Sequence, residues 1–140
     1  LNAAPLAADA WFDTGDLGTL DEHGCLHLLG RRADLIVTGG ENVYPAEVER
    51  ALESCPGIAA AAVFGISDET WGETVAAVLV ADRALPPDDA VLARWIEGRL
   101  ASHKRPRRFG FVRALPHTPA GKLDRDALSA LAAQTRPLRK

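Results

Sequence analysis

A single lysine, Lys122, follows Pro119 and Gly121 in the segment HTPAGKLDR, residues 117–125. Its ammonium is a compact point charge on a long stem. On a loop stiffened by one residue and loosened by another, it could be carried to a reacting phosphate or carboxylate. On its own, such a lysine is an ordinary solvated surface group. Upstream, WFDTGD (11–16) ends in Asp16, a carboxylate able to accept from two neighbouring ribose hydroxyls. GRRAD (30–34) carries Arg31, whose rigid fork of donors suits ribose oxygens or a phosphate. TGGEN (38–42) puts Gly39 and Gly40 in a bend that leads toward a helix start, where a ligand can approach the backbone closely. Taken singly these are weak signals, because Asp after Gly is usually turn chemistry and most loop arginines are solvated.

The formal charge of the chain is −3, which argues against nucleic acid as a general partner, yet the charge is uneven. From Gly98 to Leu123 there are seven Lys and Arg residues (99, 104, 105, 107, 108, 113 and 122) and no acid. A local basic field in an acidic protein suits a small polyanion. The HGCLH segment would align His23, Cys25 and His27 along a strand as metal ligands, but a fourth ligand is missing and Gly24 assigns His23 to a turn. Strand packing is the expectation there, with no metal. Cys25 and Cys55 form neither a disulfide framework nor a CxxC motif.

Hydrophobic residues make up 47% and charged residues 25% of 140 residues, enough for one packed domain or a domain with part of another. No apolar run approaches the roughly 20 residues of a membrane span, and no basic-then-apolar leader opens the sequence. A cytoplasmic setting is expected, and Leu1 in place of methionine suggests a piece of something longer.

These residues need elements to hold them. Residues 1–9 read as an irregular lead-in. CLHLLG (25–30) and DLIVTGG (34–40) read as two strands of a β-hairpin-like unit joined by RRAD, after a turn at DEHG (21–24). Pro45 opens a helix whose positions Val48, Ala51, Leu52 and Cys55 follow the i, i+3, i+4, i+7 rule, and PG at 56–57 ends it. IAAAAVFGI (58–66) and TVAAVLVA (74–81) are apolar runs of strand length, consistent with burial on both faces. PPDD starts a second helix with Val91, Leu92, Trp95, Ile96 and Leu100 facing inward, FGFV (109–112) is a core strand, and Asp124 begins a last helix through Leu128 and Leu131. The fold class expected is α+β, a small mixed sheet flanked by helices and preceded by a short β-hairpin-like stub.

TGD, then GRRADLIVTGGENVYPAEVE, then HKRP, then PAGK follow one another in the order and approximate spacing of the adenylate-forming superfamily. That superfamily holds acyl-CoA synthetases, peptide-synthetase adenylation domains and firefly-type luciferases. The resemblance covers residues 11 to 130 and is to the C-terminal lobe. The long central motif is most similar to the o-succinylbenzoate–CoA ligases of menaquinone synthesis, and fatty-acyl and aryl ligases carry close relatives of it. The implied domain plan is residues 1–30 as the last β segment of an N-terminal lobe, 31–34 as a hinge, and 35–140 as the C-terminal lobe.

The resemblance implies an acid–thiol ligase acting in two steps, carboxylate plus ATP to acyl-AMP and then CoA to the thioester, with the lobe turning between them. Asp16 and Arg31 match residues that hold the ATP ribose, and Lys122 matches the lysine that enters the site during adenylation. Gly39 and Gly40 match glycines lining the pantetheine tunnel. Trp71, in ETWGE, resembles an aromatic that packs on the pantetheine arm, and Arg105 and Arg107, in HKRPRR, resemble residues that meet the CoA phosphates. One departure concerns the hinge, where the family often has Asp or Lys and this chain has Ala33 beside Asp34. ATP with magnesium and CoA are the implied cosubstrates, with the magnesium ligands and acyl pocket in the N-terminal lobe. That lobe is then the partner, together with a small carboxylic acid, and the chain alone is expected to be inactive. Three other readings stay open: a lobe that loads a carrier protein, a free-standing binding module, and a fragment with no independent role.

Overall fold

The computed structural model describes residues 11–82 and 86–138. The irregular lead-in expected over residues 1–9 lies outside them. Two sheets form. The first is a ribbon of β1 (Asp16–Leu20) and β2 (Leu26–Arg31), paired antiparallel with Asp16 opposite Arg31 and Leu20 opposite Leu26. The second contains β3 (Ile36–Thr38), β4 (Glu41–Val43), β5 (Ile58–Asp68), β6 (Gly72–Ala81), β7 (Arg108–Phe111) and β8 (Arg136–Pro137). Long β6 is its axis: β5 runs antiparallel along one edge, while β3 and the parallel β7 share the other. A mixed sheet with flanking helices is therefore what forms, as expected.

The hairpin-like unit is drawn differently from the expectation. Residues 25–30 do not pair with 34–40. They pair back onto β1, because the Asp21 carboxylate accepts the N–H groups of His23 and Cys25, each at 2.9 Å, and closes the turn. A single 3-10 turn, Arg32–Asp34, then redirects the chain into the second sheet. There β3 doubles back on β4 through Gly39 and Gly40, whose φ values of 58° and 82° make a tight two-residue hairpin turn. The glycine bend is thus a strand-to-strand turn, with the helix starting only at Pro45.

Period-two alternation explains the two apolar runs. Val63, Val75, Ala77 and Leu79 face one core with α1 (Pro45–Glu53) and α2 (Asp89–Glu97). Ala62, Phe64, Ala76 and Val78 face a second core with Leu128 of α3 (Arg125–Ala130). Both faces are covered, so the strands read as continuous hydrophobic sequence. In α1, Val48, Leu52 and the following Cys55 are buried as the spacing required. In α2, Leu92 and Ile96 are buried, but Val91 is 40% exposed, lying one residue, about 100°, off their line. Asp124 caps α3 by accepting the Ala127 N–H at 3.0 Å.

Candidate functional site

The lysine loop is a small hairpin. His117 and Leu123 form a β-bridge, the Thr118 N–H donates to the Lys122 carbonyl at 2.7 Å, and the Gly121 N–H donates to the Thr118 carbonyl at 2.9 Å. The Thr118 hydroxyl accepts the Lys122 N–H at 3.3 Å, and Gly121 turns the chain at φ 77°. Leu115 and Leu123 root the loop in the second core. The backbone is pinned, yet the Lys122 side chain is exposed and its ammonium has no partner among the described residues.

Asp16 and Arg31 are brought together by strand register. The Arg31 Nε lies 2.8 Å from Asp16 Oδ1, and Nη1 donates to the Thr14 carbonyl at 3.0 Å. The preceding turn is fixed by Asp13, whose carboxylate accepts the Gly15 N–H at 2.8 Å and lies 3.2 Å from Arg32 Nη1. That backbone hydrogen bond, and then the Arg32 charge, hold the Asp13 carboxyl below its ordinary value. An ion pair with further donor and acceptor capacity can bracket a vicinal diol.

A second assembly forms where the β3–β4 turn meets the β5–β6 turn. The Gly39 N–H donates to the Trp71 carbonyl at 2.9 Å, and a Cβ on Gly39 would lie 2.8 Å from Trp71 Cε3. The Asp68 carboxylate holds the Thr70 and Trp71 N–H groups at 2.9 and 3.0 Å. On the indole lies Arg107, its Cζ 4.3 Å from the ring centroid. Gly39, Trp71 and Arg107 are one ledge, glycine floor, aromatic wall and cation, with Trp71 41% exposed.

Arg105 does not join it. Its Nε donates to the Leu100 carbonyl at 2.9 Å, Nη2 to the Glu97 carbonyl at 3.0 Å, and Nη1 to the Glu97 carboxylate at 3.2 Å, so it caps the end of α2. It also lines a cleft of about 620 Å³ with Arg94, Ser102, Arg107 and Leu138. The acid-free basic stretch is likewise less free than its composition implies. Arg99 stacks on Trp95 at 3.6 Å, Lys104 binds the Glu47 carboxylate at 2.7 and 2.8 Å, and Arg108 binds Thr135. The acids that absorb this charge come from elsewhere in the sequence.

At the joint, Ala33 is exposed between two anchored neighbours. The Arg32 N–H donates to the Gly15 carbonyl at 2.8 Å on the ribbon side, and Asp34 Oδ2 lies 3.4 Å from Arg125 Nε on the other. Arg125 also reaches Glu49 Oε1 at 3.2 Å and the Val63 carbonyl at 2.9 Å. Sequence reading missed Arg125, since nothing local marks a helix-start arginine as a partner of residues 76 and 62 positions away. His27 sits 2.9 Å from Asp21, Cys25 is exposed, and no group of three or more metal-ligating side chains comes together among the described residues.

Residues 47–122 match the family described as AMP-binding enzyme C-terminal domain. The 2-succinylbenzoate–CoA ligase of Bacillus licheniformis is 50% identical over 120 residues, 86% of this chain and 25% of that protein. The long-chain-fatty-acid–CoA ligase FadD13 of Mycobacterium tuberculosis is 42% identical over 115 residues, 82% of this chain and 23% of that one. Among solved structures, o-succinylbenzoate CoA synthetase (MenE) of Bacillus subtilis, in complex with the acyl-adenylate intermediate OSB-AMP, matches 96% of this chain and 27% of its own, with TM-score 0.84 and 40% identity. The chain spans about a quarter of the length of the curated relatives it matches.

Proposed function

The chain belongs to the AMP-binding enzyme C-terminal domain family, and from that premise we propose that it is the mobile lobe of an ATP-dependent acyl-CoA ligase. The observation that carries the reading is the Lys122 ammonium, without a partner among the described residues, on a hairpin held by hydrogen bonds between Thr118, Gly121 and Lys122. In the first half-reaction a carboxylate oxygen attacks the α-phosphorus of ATP, and the bond to pyrophosphate breaks with its electron pair leaving on pyrophosphate. Negative charge spreads over both reacting groups, and an ammonium between them stabilises that arrangement more than the separated substrates. Asp16 and Arg31 would hold the ribose diol. In the second half-reaction the CoA thiolate attacks the acyl carbon and AMP departs. The ledge of Gly39, Trp71 and Arg107 suits this step, with the thin pantetheine arm on glycine and indole and a phosphate at the guanidinium.

A turning lobe needs a pivot, and Ala33 lies between Arg32, bonded to the ribbon, and Asp34, bonded to the body. The larger lobe would cover Leu20, Leu26 and Leu28, each 63–70% exposed on the ribbon. It would also supply the acyl pocket. Magnesium accompanying ATP is assigned to the nucleotide phosphates and to residues outside this chain. Two free cysteines suit a reducing, cytoplasmic setting. The first acid to test is o-succinylbenzoate, on the 50% identity to a relative named for it. The test is product analysis with the full-length protein, acid, ATP and CoA. AMP and pyrophosphate formed in step with a CoA thioester support the proposal; ADP and phosphate, or turnover that ignores CoA in favour of a carrier protein, sink it.

A further inference from the structure

Arg125 stands three residues beyond Lys122, at the first position of α3. Its guanidinium gathers three partners from three elements. Nε faces the Asp34 carboxylate at 3.4 Å, and Nη1 lies 3.2 Å from Glu49 Oε1 of α1 and 2.9 Å from the Val63 carbonyl of β5. Glu49 Oε1 in turn accepts the Val63 N–H at 3.0 Å, so the arginine closes a ring of contacts. The side chains of Arg125, Asp34 and Glu49 are 33%, 25% and 16% exposed, which sets this cluster apart from a solvated surface pair.

Resting on the ligase reading above, we propose that Arg125 is a positioning residue that aims Lys122 by tying the exit of its loop to Asp34, the body-side residue of the joint. The loop has its own internal hydrogen bonds, but these fix its shape and not its placement on the lobe. Placement rests on Leu115, Leu123 and Leu128 of α3 in the second core, on the Asp124 N–H bond to the Pro116 carbonyl at the loop root, and on the guanidinium cluster. Apolar packing at the loop root tolerates a small tilt, and the long lysine stem magnifies it at the ammonium. A guanidinium hydrogen-bonded to the Glu49 carboxylate and the Val63 carbonyl, and ion-paired with Asp34, does not tilt without weakening one of these contacts. The same cluster holds Asp34 to the body, so rotation is confined to the residues before it and the loop travels with the joint as one piece. A misplacement near 1 Å of a group acting in the transition state is enough for about a 10²-fold loss.

The experiment separates the half-reactions in the full-length protein. Arg125→Met should lower kcat for pyrophosphate exchange by roughly 10- to 100-fold, keep KM for ATP within about threefold, and leave thioester formation from pre-made acyl-adenylate within about threefold. Arg125→Lys, which keeps the charge but not the fork, should recover part of the loss. Asp34→Asn should cost the first step roughly three- to tenfold in the natural background and no more than about twofold when added to Arg125→Met, because its effect passes through the arginine. Should Arg125→Met fail to fold, Arg125→Lys and Asp34→Asn still carry the comparison between the two steps. Equal losses in both half-reactions, or full additivity of the two substitutions, would mean that the cluster only holds the fold together. If the unaltered protein performs neither half-reaction, the ligase reading fails instead, and the two failures are distinct.

Discussion

The lysine loop and the glycine–indole–guanidinium ledge solve opposite problems. In the loop the main chain is tied and the lysine side chain has no partner among the described residues: Thr118, Gly121 and Lys122 bond to one another while the ammonium is exposed. In the ledge the side chains are packed against each other, with Gly39 under Trp71 and Arg107 across it. A lone charge on a fixed base suits a task that exists only while charge is developing elsewhere. A prebuilt surface suits recognition of something already shaped. The contrast predicts that damage to the first falls on rate in one half-reaction and damage to the second on use of CoA.

The largest effect is expected at Lys122. Lys122→Ala in the full-length protein should slow adenylation by about 10²–10³, or about 2.7–4 kcal/mol, the loss typical of one preorganised donor. Stability should change little, since the side chain makes no hydrogen bond or ion pair among the described residues. Thioester formation from synthetic acyl-adenylate and CoA is expected near its unaltered rate. An equal fall in that second step would erase the distinction between loop and ledge.

A smaller effect should divide Gly39 from Gly40. Both have positive φ, 58° and 82°, so alanine at either costs about 1 kcal/mol or more in backbone strain. Only at Gly39 would the new Cβ meet the indole, at 2.8 Å, whereas Gly40 has open space. Gly39→Ala should therefore push Trp71 off Arg107 and raise KM for CoA by roughly tenfold, or about 1.4 kcal/mol. Gly40→Ala should lower the melting temperature through backbone strain alone and leave KM for CoA almost unchanged. Matching KM changes would show that the indole is not a wall of the site.

Which parts of this were legible in the sequence follows from the range of the forces involved. Helix α1 could be read because Pro45, the i, i+4 spacing of Val48 and Leu52, and Gly57 are local signals. The runs that became β5 and β6 could be read because burial on both faces leaves no polar interruption. The turn at DEHG was legible, but the β1–β2 pairing escaped because DLGTL, which became β1, carries no apolar run or buried face to mark a strand. The two-residue strand β8 escaped because nothing so short has a pattern. At the candidate site the resemblance grouped Gly39, Gly40, Trp71, Arg105 and Arg107; of these Gly39, Trp71 and Arg107 come together, while Arg105 turns to the end of α2. Counting charge in the basic stretch misled, because Glu47 and Glu97 neutralise Lys104 and Arg105 from outside the counted window. Arg125 was invisible because all of its meaning lies in contacts across the chain.

The two arginines of HKRPRR give the finest division, and the smallest expected effect. From sequence they are a pair with one role, but their guanidinium groups are spent differently. Arg105 makes three hydrogen bonds, all to Leu100 and Glu97 at the end of α2, with its side chain 31% exposed. Removing them as Arg105→Gln should cost about 1–2 kcal/mol of stability, seen as a lower denaturation midpoint with an unchanged slope. Arg107 rests on an aromatic face, which engages the plane of the guanidinium and leaves its in-plane donors for another acceptor. A contact from there to a CoA phosphate would lie at an exposed rim, so Arg107→Gln should raise KM for CoA only about fivefold, or about 1 kcal/mol. Added salt should shrink the difference between Arg107→Gln and the unaltered protein, because exposed charge contacts are screened within about a nanometre at ordinary ionic strength. Pyrophosphate exchange should not change with either substitution beyond what lost stability explains. If instead Arg105→Gln raises KM for CoA as much as Arg107→Gln does at equal stability, the cap on α2 opens when CoA arrives, and the ledge extends beyond Gly39, Trp71 and Arg107.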